Sequence, residues 1–457
     1  MSIVTIKLMS DLPYPNITLS RIAFGSCHSR GAVNKRISRD PTYKTIWTTI
    51  ASSVKPQTFL WTGDAVYPPK EVKGDTPAGV LEKEFHEMKT NTTLGYAEFI
   101  RNNVLVAGVH GTYDDHDYGG NDRGYELKGK EHRRDLYLDF LGNNNEKKIN
   151  RQGVYHSVQF GESNQMVKVI FLDTRYNRAK HCIPSVGAHH WVPQGAIVAC
   201  LTRWITAGLN LCPIGGDILG EEQWRWLEQE LVESSASIHI IVSSIQILTT
   251  NPVVESWGHF PRERDRLLKL ISPVLGPVLL SGDVHQAEIS TTRPSSSKVS
   301  STTRGAIIEV TSSGLTHSCE TGWFGPLCKP ILDLFPNHRF NGGNNVVSTD
   351  PSYFTKENFG SISIDWDERK FDVKVHNESG HVVLNTGSIE MGYAANLSEL
   401  ELDAVAKCVD GHFLPLIQNI IGLAMLIMIT LALSKIVLRQ AMKRQSESLQ
   451  HQHTKHD

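Results

Sequence analysis

Four times in this chain a short apolar run is followed at once by a cluster of chemically competent side chains. Residues 22–24 are followed by Gly25-Ser26-Cys27-His28, and residues 58–61 by Gly63-Asp64-Ala65-Val66-Tyr67. Residues 104–109 precede Asp114-Asp115-His116-Asp117, and residues 277–280 precede Ser281-Gly282-Asp283-Val284-His285. Such runs read as short β-strands, as do residues 167–172 and 238–248. Helical spacing lies between them: Trp224, Leu227 and Leu231 stand at i, i+3 and i+7 within residues 221–231, and residues 264–271 are similar. Strands alternating with helices predict an α/β domain whose functional groups occupy the loops just after the strands.

From residue 305 the texture changes. Residues 306–310, 361–365, 370–375 and 382–384 are consecutive strand-like runs with polar–apolar alternation, which predicts antiparallel sheet. Residues 290–303 read as a Ser/Thr-rich loop and 317–345 as a long surface insertion. No internal repeat or interdomain linker appears, so residues 20–390 are expected to form one domain, with 391–412 as a linker. The 46 basic side chains nearly balance 48 acidic ones, which removes any broad electrostatic case for nucleic acid as a partner.

Singly, each polar cluster has a plain structural explanation: Gly-Asp is a common turn, Asp-His a common solvated surface, and Cys a common small core residue. Four of them at the ends of apolar strands point instead to one site. Carboxylate and imidazole suit borderline divalent metals, whereas thiolate and phenolate suit Fe(III). An Asp at a strand end can bridge two metals while a Tyr three residues later turns back onto one of them. A bridged pair generates hydroxide at neutral pH and clamps phosphate oxygens, so phosphoryl transfer fits best.

The stretches IAFGSCHS, WTGDAVY, GTYDDHDYGGND, FLDTRYNR, LGEEQWRWLEQEL, VESWGHFPRER and LLSGDVHQAEI resemble, in order, those of the alkaline phosphatase D (PhoD-like) metallophosphatases. That family is similar to the purple acid phosphatases and belongs to the calcineurin-like metallophosphoesterases. The resemblance implies two β-sheets packed face to face with helices outside. It implies Cys27, Asp64, Tyr67 and Asp283 or His285 around a ferric ion, and Asp64 bridging to a second, divalent site. That second ion is often calcium in the family, with zinc or manganese as alternatives, and Asp115 and Asn121 would contribute to it. Asp115 is chosen over Asp114 because it directly precedes His116. His116 would face the substrate. Arg175 is a candidate phosphate clamp, its alternative being an ion pair with Asp173 or another carboxylate. Only about 20 residues precede the first motif, unlike bacterial members, so the arrangement reads as eukaryotic in type.

Residues 413–434 hold 22 positions without a charged side chain, and as a helix they would reach about 33 Å, the span of a bilayer core. Lys435, Arg439, Lys443 and Arg444 follow, which places the tail 435–457 in the cytosol and the domain opposite. Four N-x-[ST] triplets, at Asn16, Asn91, Asn377 and Asn396, precede the apolar run and agree. The N-terminus shows no signal peptide, which leaves a tail-anchored cytosolic form as the alternative. Of the 7 cysteines, Cys27 is set aside as a metal thiolate, and Cys182, Cys200, Cys212, Cys319, Cys328 and Cys408 are enough for three disulfides. Cys319 and Cys328 are the easiest pair to close. The expected function is a membrane-anchored, metal-dependent phosphomonoesterase or phosphodiesterase that uses a metal-bound hydroxide. The alternatives are a catalytically silent binding protein on the same fold and a phosphodiesterase of lipid headgroups.

Overall fold

The computed structural model describes residues 13–72, 74–101, 105–142, 151–181, 195–208, 211, 215–249, 251–292, 306–321, 325–334, 353–398 and 421–435. The chain divides into two units, Met1–Cys408 and Val409–Asp457. Strands of the first unit are β1 (Pro13–Tyr14), β2 (Arg21–Gly25), β3 (Thr58–Thr62), β4 (Val109–Thr112), β5 (His156–Phe160), β6 (Val167–Phe171), β7 (Ile238–Val242) and β8 (Pro277–Ser281). They continue with β9 (Ala287–Thr291), β10 (Ile308–Ser312), β11 (Tyr353–Phe354), β12 (Asn358–Asp365), β13 (Lys370–Asn377), β14 (Val382–Asn385) and β15 (Ile389–Glu390). One sheet runs β1-β5-β6-β7-β8-β10-β9-β11 and the other β14-β13-β12-β2-β3-β4, with β15 joined to β13. The fold is mixed α/β with two multi-stranded sheets.

Side-chain alternation explains how the sheets meet. In β7, Ile238, Ile240 and Val242 join a core that also holds Ile22, Phe24, Ile362 and Val373 of the other sheet. Ile241 turns the opposite way, onto Trp224, Leu227, Leu267 and Leu268 of the helices Glu221–Val232 and Pro261–Ile271. In β2, Ala23 likewise faces away from Ile22 and Phe24, onto Trp47 and Ile50 of the helix Ile46–Ser53. The sheets therefore pack face to face, each with helices on its outer side. Each such buried Ile, Val or Phe contributes about 1.5–3 kcal/mol.

Several expected boundaries shift. The strand expected over 104–109 starts only at Val109, because residues 105–108 make a turn in which the Gly108 amide donates to Leu105 O and Gly108 takes φ +71°. The run 238–248 is strand only to Val242; beyond it the amides of Ile247 and Leu248 donate to the buried Glu309 carboxylate rather than to a neighbouring strand. Of the loop expected over 290–303, Ser290 and Thr291 instead complete β9, and residues 293–303 lie outside the described residues. Within 317–345, the residues Gly325–Leu334 form a helix whose Cys328 and Leu332 pack on Tyr353. Residues 391–398, expected to begin a linker, still pack on the domain: Ala394 bridges Leu275, and the Asn396 amide donates to Ser272 O.

In the second unit, residues 421–435 are helical. Among the described residues no helix is long and apolar enough to cross a membrane. The expected span over 413–434 lies partly, and the tail 436–457 wholly, outside the described residues.

Candidate metal centre

Strands β2, β3 and β4 are mutually parallel, as are β6, β7, β8 and β10, so their C-terminal ends release chain in common directions. A parallel bridge between Ser26 and Ser313 ties the two sheets together at that end. Cys27, Asp64, Asp283 and His285 all take positive φ there, +64°, +48°, +71° and +57°. Non-glycine residues in that region cost on the order of 1–3 kcal/mol each and persist where the surroundings enforce them, typically at functional sites. Gly63 is obligatory, since with φ +106° a Cβ there would stand 2.6 Å from the Asp114 Cβ.

Asp64 lies at the centre. The Tyr67 hydroxyl donates to its Oδ2 at 2.6 Å, the Cys27 thiol lies 3.7 Å from the same oxygen, and the His116 amide donates to Oδ1 at 3.3 Å. Donor atoms of Asp64, Asp115 and His116 fall within 4.8 Å of one another, as do those of Asp114, Asp115 and Asp283. Asp115 belongs to both groups, and both aspartates of the Asp114-Asp115 pair take part. The Asp115 Oδ2 accepts the Asp122 amide at 2.9 Å, while its buried Oδ1, the buried Oδ2 of Asp114 and Nδ1 of His285 have no hydrogen-bond partner. Asn121 is half-buried in the same loop, immediately before Asp122. Asp117 serves the backbone, accepting the amides of Ala65 and Val66 at 3.0 Å each and so fixing the Asp64–Tyr67 turn.

Burial and mutual repulsion dominate the electrostatics. The Asp64 carboxyl is held well above its ordinary value, first by burial and then by Asp115, Asp114 and Asp117. Burial also raises Asp283 well above its ordinary value, with Asp114 and Asp115 adding to it. Asp114 is pushed up to about 7 and Asp117 to about 8, burial being the largest cause of each. Burial raises the Cys27 thiol and the Tyr67 phenol as well. Acidic groups stacked this way need a multivalent cation to ionise, and the orphaned oxygens and the mixed S, O and N donors fit one. The metal-free protein should therefore lose stability as pH rises. Folded Asp114 and Asp117 keep protons that the unfolded chain releases near pH 4, and the stability this contributes is lost as pH rises through about 7 and 8. Thermal unfolding after chelation should show a lower Tm at pH 8 than at pH 6, and metal should remove most of the difference; a flat or opposite profile would contradict these electrostatics.

Partly exposed rings frame the mouth. Tyr67 lies 4.2 Å from His116 and 6.3 Å from His285 between ring centroids. His317, which no sequence motif singled out, stands 4.7 Å from Tyr67 and 4.5 Å from His285. Ser313, equally unforeseen, lies 3.1 Å from the Cys27 sulfur and accepts the His285 amide at 2.9 Å. Both follow β10, so the rule that chemistry follows an apolar strand could have found them.

Arg175 does not reach the mouth. It is fully buried, donating from Nε to Asp114 at 2.6 Å and from one terminal nitrogen to Glu255 at 2.9 Å. This is the ion-pair alternative, with Asp114 and Glu255 as partners; Asp173 instead accepts the Arg175 and Tyr176 amides at 2.8 Å each. A second group, Asp122, His181 and Glu255, has donor atoms within 4.8 Å, but Arg203 pairs with Asp122 at 2.6 Å and Arg178 with Glu255 at 3.3 Å. Guanidinium groups already neutralise those carboxylates, so this group reads as an ion-pair network behind the centre. Cys319 and Cys328 form a disulfide, whereas Cys200, expected in another, is a free thiol beside Arg203. Cys182, Cys212 and Cys408 lie outside the described residues.

The model of the PhoD-like phosphatase family matches residues 113–375. A solved structure described as "Structure of PhoD" is 17% identical, over 91% of this chain and 79% of that one, with a TM-score of 0.44. No curated protein matches significantly.

Proposed function

This chain belongs to the PhoD-like phosphatase family and is a hydrolase of phosphoric ester bonds, and from that premise we propose that the centre around Asp64 is its active site. Cys27, Asp64, Tyr67 and His285 would hold one ion, Fe(III) by their donor chemistry, and Asp64, Asp115, Asn121 and Asp283 a divalent one, calcium or else zinc or manganese. When bound, the ions supply an activated nucleophile and the positive charge that the phosphoryl group meets. The chain's own contribution is positional. The His116 amide holds Oδ1 of Asp64, Asp117 fixes the turn that carries Asp64 and Tyr67, and Arg175 anchors Asp114 from behind. His116, with a side chain 27% exposed and Nε2 3.9 Å from Asp115, is placed to contact phosphoryl oxygens or to hand a proton to the departing alcohol.

The observation that carries this reading is the convergence of Asp64, Asp114, Asp115 and Asp283 with orphaned buried oxygens. It also disfavours a silent binding module, since none of the expected donor residues is replaced. Membrane attachment through residues 413–434 is part of the proposal, supported by that apolar run and the basic residues after it. A lumenal or extracellular domain is supported by the Cys319–Cys328 disulfide and the four glycosylation triplets. The test is a panel of p-nitrophenyl phosphate and bis(p-nitrophenyl) phosphate with the metal-loaded full chain. Turnover of at least one is expected, and their ratio assigns monoester or diester preference; turnover of neither would refute the proposed site.

A further inference from the structure

We infer that His317 is a substrate-contacting residue whose imidazole meets the phosphate ester alongside His116. The inference rests on the phosphoesterase reading above and extends it. The ring stands edge-on to Tyr67, at an interplanar angle of 84°, and 4.5 Å from His285, so it shares the mouth with the proposed metal ligands. Its Nδ1 is buried without a hydrogen-bond partner. Both ring nitrogens of His239 are bonded, at 2.7 Å each, and both of His376, at 3.1 and 2.8 Å. His28, packed on Trp47 and Trp61, has unpartnered nitrogens as well, so it is the place of the His317 ring beside Tyr67 and His285 that gives its free nitrogen meaning.

The segment carrying His317 is fastened on both sides without using the imidazole. The Ser29 amide donates to Thr316 Oγ1 at 2.6 Å and the Thr316 amide to Cys27 O at 3.3 Å. Beyond it, the Cys319 amide donates to His285 O at 2.6 Å, and Cys319 is cross-linked to Cys328. Backbone ties to the chain at both Cys27 and His285 fix the ring relative to the centre while leaving a ring nitrogen for another partner. Such support by surrounding bonds is what a positioned functional group requires.

The experiment compares wild type, His317→Ala, His317→Gln and Asp64→Asn in the metal-loaded full chain, reading p-nitrophenyl phosphate turnover, inhibition by inorganic phosphate, metal content and Tm. Loss of a hydrogen bond to a charged oxygen lowers kcat/KM about 10- to 100-fold. His317→Ala should show that loss and a matching weakening of phosphate inhibition, with metal content unchanged, and His317→Gln should recover part of both. If the Ala variant does not fold, phosphate inhibition of the Gln variant decides, its constant lying between the wild-type value and loss of inhibition. Wild-type kinetics in His317→Ala would overturn the inference, as would loss of metal with no rescue by Gln. An inactive wild type would instead refute the phosphoesterase reading, and an active wild type with a dead Asp64→Asn keeps that reading whatever His317 does.

Discussion

Asparagine in place of Asp64 is expected to abolish ester hydrolysis while leaving the protein folded. Asp64 is the side chain on which Cys27, Tyr67 and the His116 amide converge. Losing one preorganised electrostatic contact commonly lowers kcat by about 10²–10³-fold, and Asp64 would help hold both proposed ions, so a fall of at least about 10³-fold is expected. Asparagine keeps the shape and removes a charge whose burial the metal-free fold already disfavours. The Tm of the chelated variant should therefore equal or exceed that of chelated wild type. Steady-state kinetics with thermal unfolding decides, and retained turnover would remove Asp64 from the centre of the account.

Methionine in place of Arg175 is expected to act on stability instead. The guanidinium stands between Asp114 and Glu255, all three fully buried or nearly so. Its removal leaves Asp114 without its guanidinium and Glu255 with Arg178 alone as its arginine partner, and breaking a buried pair in this way costs about 3–5 kcal/mol. Glu255 is held well below the ordinary carboxylate range by Arg175 and Arg178 despite its burial. A depressed folded value means stability that is full above the unfolded value and lost as pH falls through the folded one. Arg175→Met should lower the denaturant midpoint and weaken that acid-side dependence, Arg178 sustaining the remainder. A variant of wild-type stability with a raised KM would restore the phosphate-clamp reading of Arg175.

How much of this was legible follows from which signals are local. The strands that carry the centre are parallel and buried on both faces, so β2, β3 and β8 stand out as apolar runs and their trailing polar residues can be read directly. Strand β5, HSVQF, mixes polar with apolar residues and gives no comparable run. Pairings between distant residues leave no local trace: Arg175 meets Asp114 across 61 positions, and Cys27 meets Ser313 across 286. Hence residue types at the centre were readable, whereas the partners of Arg175 were not. His317 was missed for another reason. The Gly/Pro/Asn-rich composition of residues 317–345 reads as surface insertion, and that texture hid a site residue at its edge. Cys200 shows the limit of counting, since parity offers it a disulfide while the fold places its thiol beside Arg203.

The central claim is that carboxylate, thiol, phenol and imidazole groups at these strand ends hold metal ions that make the chain a phosphoesterase. The most direct measurement is p-nitrophenyl ester turnover by the full chain as isolated, after exhaustive chelation, and after Fe(III) and calcium are returned together, with bound metal quantified at each stage. The account predicts turnover that disappears with the metal and returns with it. Turnover that survives complete removal of bound metal would contradict it.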